Sequence, residues 1–287
     1  MNIKDYIEKT FPKEIIFKGI ESEKLKKTEW YFDSAKADAI DTYNLIKEFL
    51  NKEETILEVG GGLHLLTNFL KFKGYNITSI EPGDFTEYTY LMKKNISKIS
   101  KSEENIKINT LENFSAKTEI KYDFIFSVNV LEHTKDIKLH LESCFELLKN
   151  NSSNLYVRCP NYVFPFECHF YKFFIPFAPK FTFKYLLKKS LVKKLGENEY
   201  NDLLNNINFK CTYYKIKNLD LPLKFENPCK EIFDRIENDV VFKERLFSSS
   251  LIKWTYNLIS FLKLKKLIST VFPVSFNPYI VMKNKKN

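Results

Sequence analysis

The sequence predicts an α/β fold: a doubly wound, mostly parallel sheet, followed by a C-terminal insertion or cap that is helical, aromatic and basic. Three observations carry this expectation. Short β-rich runs alternate with helical periodicities through residues 28–160, the pattern of strands joined by crossover helices. The first of these runs ends in three consecutive glycines, Gly60, Gly61 and Gly62, just before a helical stretch. Beyond residue 160 the alternation stops, and more than a hundred residues rich in aromatic and basic side chains follow, too many for a simple loop.

Taken in order, residues 1–27 read as a charged helical extension, and Glu29 to Asp33 open a helix reading SAKADAIDTYNLIKEFL, with apolar positions recurring at three and four. TILEVGGG is a strand ending in a tight turn, and LHLLTNFLKFKG is the helix after it. In YNITSIEPG the second strand ends at Glu81, and Pro82 with Gly83 turn the chain into another helix. NIKINTL and YDFIFSVNV are two further strands, LEHTKDIKLHLESCFELLK is an amphipathic helix, and NLYVRCP is a buried strand. PYIVMKN is expected to return to the sheet as an antiparallel edge strand. The resulting division is a helical extension over 1–27, a cofactor domain over 28–160, a substrate cap over 161–275, and a returning strand with tail over 276–287.

With 287 residues and 44% hydrophobic side chains, the chain can bury a full core. Its first residues carry charges throughout and lack the apolar run of a secretory signal, which reads as cytoplasmic. Lysines and prolines interrupt every apolar window, including Phe170 to Leu187, so no membrane-spanning helix is expected. The five cysteines, Cys144, Cys159, Cys168, Cys211 and Cys229, form no CxxC pair or zinc spacing. They read as reduced structural thiols, and no metal is expected from them. Charge divides the chain: residues 1–150 hold 22 Lys and Arg against 25 Asp and Glu, a net −3, whereas 151–287 hold 23 against 11, a net +12. Two halves so different in charge suggest two different tasks.

The glycines lie between a strand and a helix, where bare backbone can approach a ligand and aim amides at an anion. Glu81 stands 19 residues after Gly62 at the end of the next strand, where a carboxylate can accept two hydrogen bonds from a ribose diol. A nicotinamide fold would show something similar, but Leu65 occupies the place of its third glycine.

Four segments, in a fixed order, resemble the class I S-adenosylmethionine (SAM) dependent methyltransferases, in particular the small-molecule branch with quinone-biosynthesis and sugar-modifying enzymes. They are Glu58-Val59-Gly60-Gly61-Gly62, Ser79-Ile80-Glu81-Pro82, Thr110-Leu111-Glu112, and the run from Tyr122 and Asp123 through Ser127-Val128-Asn129-Val130-Leu131-Glu132-His133. The resemblance implies a Rossmann-like domain with SAM as cofactor. It also implies that Glu58 and Gly60, Gly61 and Gly62 face the methionine end, that Glu81 holds the ribose, that Leu111 and Glu112 border the adenine, and that Asn129 and Val130 line the sulfonium side. The sequence departs from the family pattern at His64, where a glycine is common, and at Thr110, where an acidic residue is often found.

Other residues keep a functional and a plain reading side by side. His133 is a general base, a pocket wall or a helix N-terminal contact. Glu167 and His169, set among aromatics, are a base in a shifted environment or a satisfied polar pair in the cap. Trp30, Tyr31 and Phe32 close over the cofactor or pack in the core. From His169 to Leu195 there are seven lysines and no acidic residue, and after Glu244 no acidic residue appears. Such stretches suit an anionic membrane surface, the phosphates of RNA or of a nucleotide-linked substrate, or a solvated helix face. The expected activity is methyl transfer to a small molecule or to a glycan or lipid-linked intermediate, in the cytoplasm or peripherally at the inner membrane face. The alternatives are an RNA methyltransferase, although no RNA-binding module is recognisable and nucleic acid is not the expected partner, and a non-catalytic SAM-fold scaffold subunit.

Overall fold

The computed structural model describes residues 1–83, 86–101, 103–167, 169–170, 172–176, 178–238, 240–247 and 250–285. Its strands are β1 (Thr55–Val59), β2 (Asn76–Glu81), β3 (Ile106–Ile108), β4 (Phe124–Val128), β5 (Asn154–Pro160), β6 (Phe166–Glu167), β7 (Lys172–Phe173), β8 (Leu223–Glu226) and β9 (Tyr279–Asn284). Seven of them form one sheet in the order β3-β2-β1-β4-β5-β9-β8. β1 pairs in parallel with β2 and β4, and β2 with β3, while β8 and β9 run antiparallel. The mostly parallel, doubly wound sheet expected from the alternation is therefore present. The chain divides into two compact units, one made of 1–128 and 141–156, the other of 129–140 and 157–285.

In the first unit, β1 is buried from Ile56 to Val59, as a strand covered on both faces must be. Its register against β4 is set at the start, where the Thr55 N–H and hydroxyl both donate to Asp123 Oδ2, at 3.0 and 2.8 Å. The helix Leu65–Phe72 buries Leu65, Leu66, Phe69 and Leu70. The N-terminal extension packs there too: the helix Ile3–Thr10 is capped by Asn2, and the Tyr6 ring lies 5.5 Å from that of Phe69 while its hydroxyl donates to Asn68 O. The next long helix spans Leu25–Ile46, beginning before the sequence suggested. Phe32 belongs to its buried face, Tyr31 lies beside Tyr88, and Trp30 is exposed, so core packing accounts for Phe32 and not for Trp30.

In the second unit the aromatic residues build a core of their own, with Phe183 and Phe209 stacked at 5.8 Å and Tyr162, Phe170, Phe174 and Tyr200 buried around them. Asn161 ties distant segments together. Its side-chain amide donates to Ser275 O and Asn277 O, and its Oδ1 accepts from the Val163 and Tyr213 N–H groups.

Three expectations need correction. β9 is antiparallel but not an edge strand, because β8 lies outside it. β8 reads Leu-Lys-Phe-Glu with only Leu223 buried, too short and too polar for a strand signal. NIKINTL yields only the three residues of β3, since Thr110 accepts from the Asn113 N–H and caps the helix Leu111–Ser115. The helix expected from Leu131 is broken: Leu131–His133 form a short 3-10 turn, and the α-helix spans Ile137–Leu147. Asp136 is the reason, as its Oδ1 accepts from the N–H groups of Lys138 and Leu139 and starts the helix there.

Candidate functional site

β1 leads directly into the glycine turn, whose backbone is pinned to β2 by two N–H groups, Gly60 and Gly61, donating to Ile80 O at 2.8 and 3.3 Å. Each glycine has a different reason to be one. A Cβ on Gly61 would lie 2.1 Å from Ser79 Oγ and 2.5 Å from His64 Nδ1, whereas one on Gly62 would meet nothing within 4 Å. Gly61 is thus demanded by packing. Gly62, at φ +52, presents uncovered backbone, and its N–H donates to Glu81 Oε2 at 3.1 Å.

His64, the departure from the family pattern, has φ 58, a left-handed conformation that a glycine adopts without strain. Its Nδ1 lies 3.0 Å from Ser79 Oγ, and burial, aided by the charge of Lys93, pushes its pKa down to about 3, so the ring is neutral. Glu58 lies beneath the turn. Its Oε2 accepts from the hydroxyls of Thr67 and Ser79, and burial raises the carboxyl to about 7. Glu58 therefore acts as an internal brace, joining the helix Leu65–Phe72 and β2 to the strand beneath the turn.

Beside the turn is a cavity of about 370 Å³ lined by His64, Glu81, Gly83, Lys93, Ile106 and Ile108, among others, within the usual range for small ligands. Lys93 donates to Gly83 O and has its Nζ 3.9 Å from Glu81 Oε1. The donor set fits an adenosyl group: a carboxylate for a diol, aliphatic side chains for a base, and bare backbone at Gly62. Leu111 is buried and Glu112 half-buried in the short helix Leu111–Ser115. Burial first, and then the Glu112 charge, push the Cys144 thiol up to about 12.

The second unit carries the remaining residues of interest. Asn129 is exposed at φ 57, with its N–H donating to Arg158 O, and Val130 is half-buried. His133 and His169, 36 residues apart in sequence, come together with ring centroids 5.0 Å apart and planes at 73°. Glu167 Oε1 pairs with His169 Nδ1 at 2.6 Å, its Oε2 accepts from the Phe170 N–H, and Oε1 also accepts from the Tyr162 hydroxyl. Burial would raise the Glu167 carboxyl, but the His169 charge and these donors hold it below its ordinary value. His133 Nδ1 lies 3.1 Å from Asn206 O. A carbonyl can only accept, so Nδ1 carries the proton and Nε2 the lone pair. Burial, followed by the His169 charge, lowers the His133 pKa, which favours the neutral ring.

Sequence reasoning missed Glu132. Its side chain is fully buried, and burial lifts its carboxyl to about 7; the signal was its place beside His133 in the last of the four segments, where no role was given to it. Of the cysteines, Cys144, Cys159, Cys211 and Cys229 are free and buried, and Cys168 lies outside the described residues.

Fold and turn together define a nucleoside-binding α/β protein. The sequence matches the methyltransferase-domain family model over residues 31–214, and the chain belongs to that family, the SAM-dependent class its motifs resemble. It is 36% identical over 120 residues to two uncharacterized proteins of Mycobacterium tuberculosis, from strains CDC 1551 / Oshkosh and ATCC 25618 / H37Rv, a match spanning 40% of this chain and 39% of theirs. Among solved structures, the phosphoethanolamine N-methyltransferase 2 of Haemonchus contortus in complex with SAM is 13% identical at a TM-score of 0.46, covering 100% of this chain and 60% of that one. Coclaurine N-methyltransferase bound to N-methylheliamine and S-adenosylhomocysteine is 15% identical at a TM-score of 0.34, covering 60% and 65%.

Proposed function

We propose that this chain transfers a methyl group from SAM to a small-molecule or glycan acceptor, one carried on a lipid or phosphate and met at an anionic membrane surface. The observation that carries the cofactor half is the Glu81 carboxylate held against the bare Gly62 amide beside the cavity. Glu81 accepts from the ribose hydroxyls, the Gly60 to Gly62 backbone meets the methionine end, and Leu111 and Glu112 border the adenine. Bound there, SAM supplies an electrophilic methyl carbon: the acceptor lone pair bonds to it as the C–S bond breaks and its electron pair stays on sulfur.

The protein's contribution is positioning and exclusion of water. The acceptor side is assigned to His133, His169 and Glu167. Glu167 orients His169, the Asn206 carbonyl orients His133, and the neutral His133 ring can take the acceptor's proton at Nε2. Incubation with radiolabelled SAM and fractionated cell extract tests the activity and the acceptor class together. Turnover that persists after both His133→Ala and His169→Ala removes them from the mechanism.

The membrane part is supported by the basic second half. On the helix Ser250–Phe261, Leu251, Trp254, Leu258 and Phe261 share one face and are exposed, Trp254 by 62% and Phe261 by 82%. Lysines and exposed aromatics also mark residues 172–189. Such a face suits peripheral contact with anionic lipid. Among the described residues, no helix is long and apolar enough to cross a membrane. Co-sedimentation with anionic but not neutral liposomes is the expected result; no binding to either removes the membrane from the reading.

A further inference from the structure

We propose that Glu132, His133 and His169 form a binding site for one divalent first-row transition metal ion, held by a carboxylate oxygen and two imidazole Nε2 atoms. The ligand atoms of the three residues all lie within 4.8 Å of one another. Glu132 Oε1 and His133 Nε2 are 4.0 Å apart. Metal bonds of roughly 2.1 Å set tetrahedral ligand pairs roughly 3.4 Å apart, so side-chain shifts of about an ångström complete the site.

Two independent features mark this as more than a chance cluster. The first is Glu132 itself. Its side chain is fully buried, and neither carboxylate oxygen has a hydrogen-bond partner among the described residues. Buried polar groups are ordinarily satisfied, and a buried carboxylate without donors calls for a cation. The charges of His169 and Arg158 favour the ionised carboxylate, but neither residue hydrogen-bonds it; the Arg158 guanidinium stacks 3.9 Å over the Tyr279 ring, and its Nη2 lies 3.8 Å from Glu231 Oε1.

The second feature is the support behind each imidazole. His169 Nδ1 pairs with the Glu167 carboxylate and His133 Nδ1 with the Asn206 carbonyl. A metal-bound histidine characteristically donates its other ring N–H to a carboxylate or a backbone carbonyl, which fixes the tautomer and directs the remaining lone pair at the ion. Here both partners are in place. The backbone around the cluster is also held: the Asn208 N–H donates to Glu132 O at 2.6 Å, and the Asn208 side chain donates to Thr134 O.

Two imidazoles with one carboxylate suit zinc, iron, manganese or nickel better than calcium or magnesium. Three protein ligands leave open positions. One consequence rests on the methyl-transfer reading above: with an ion in place both Nε2 lone pairs are ligands, so an acceptor hydroxyl at an open position would give its proton to solvent rather than to an imidazole. The binding site itself does not depend on that reading.

The test uses the full chain, treated with chelator and titrated with Co²⁺, whose visible absorption reports its ligands. One Co²⁺ per chain with a dissociation constant in the micromolar range or tighter is expected, and Zn²⁺ should displace it. His169→Ala and Glu132→Gln should each weaken binding at least 100-fold. Glu167→Gln, which leaves all three ligands in place, should weaken it roughly 10- to 100-fold, and circular dichroism checks that each variant folds. Absence of stoichiometric binding by the wild type, or equal binding by the wild type and folded variants, overturns the site. Methylation of extract components without metal binding sinks the site alone, whereas metal binding without any methylation sinks the methyl-transfer reading and leaves the site standing.

Discussion

Replacing Glu58 by Gln should change how stability depends on pH, and the size of the change follows from burial. The Glu58 carboxyl rises from 4.5 to about 7 in the folded chain, because burial outweighs the hydrogen bonds from Thr67 and Ser79, and the charge of Glu81 pushes the same way. The folded state therefore binds this proton more tightly than the unfolded state. That contribution is fully present below pH 4.5 and is lost as pH rises through 7. At 1.36 kcal/mol for each pH unit between the two values, the difference amounts to about 3 kcal/mol. Glutamine keeps an oxygen that accepts from both hydroxyls but never ionises. Between pH 4.5 and 8.5, urea denaturation should show the wild type losing about 3 kcal/mol more than Glu58→Gln. Glu132, raised to about 7 as well, is present in both proteins and cancels in the comparison. Parallel stability curves for the two proteins would refute the assignment of Glu58 as a buried brace that is protonated in the acidic range.

The two neighbouring glycines should respond differently to alanine. Gly61→Ala forces a Cβ to 2.1 Å from Ser79 Oγ and should cost about 1–3 kcal/mol as overpacking, together with cofactor affinity. Gly62→Ala meets no neighbour within 4 Å and should cost about 1–2 kcal/mol through its positive φ alone; thermal melts of both variants check the order. Thr110→Ala removes the cap of the helix Leu111–Ser115 and should lower stability by about 1 kcal/mol in the same melts. Trp254→Glu, on an exposed face, should reduce co-sedimentation with anionic liposomes while leaving the melting temperature unchanged.

Much of the fold was legible because long-range pairing and local pattern agree. The apolar run of β1, its glycine ending, and the next strand ending at Glu81 mark a strand–turn–helix unit without any tertiary information, and both features recur in the structure. The strand that was missed, β8, has four residues of which Lys224 is exposed and Phe225 and Glu226 are half-buried. It is a strand because β9 pairs with it, a reason absent from local sequence. The helix assigned from Leu131 failed for a similar cause: the apolar spacing continues through the segment, but Asp136 competes for the backbone amides that follow it.

At the site, the sequence identified the glycine turn, Glu81 and both histidines, yet not what each residue faces. The sequence does not show, for instance, that the Glu58 carboxylate accepts from Thr67 and Ser79. The segment of Glu132 and His133 is held by contacts from Asn206 and Asn208 some seventy residues away, and His169 meets His133 from 36 residues on. No spacing rule reaches that far.

Calorimetric titration of SAM into the full chain and into Glu81→Gln bears most directly on the cofactor assignment. Glutamine keeps one acceptor but loses the charge, and a charge-assisted hydrogen bond contributes about 1.5–3 kcal/mol, or roughly 10- to 150-fold in affinity. One SAM per wild-type chain, bound at least tenfold more weakly by a folded Glu81→Gln variant, is the expected result. A wild-type chain that ignores SAM, or a variant that binds it equally well, would contradict the account.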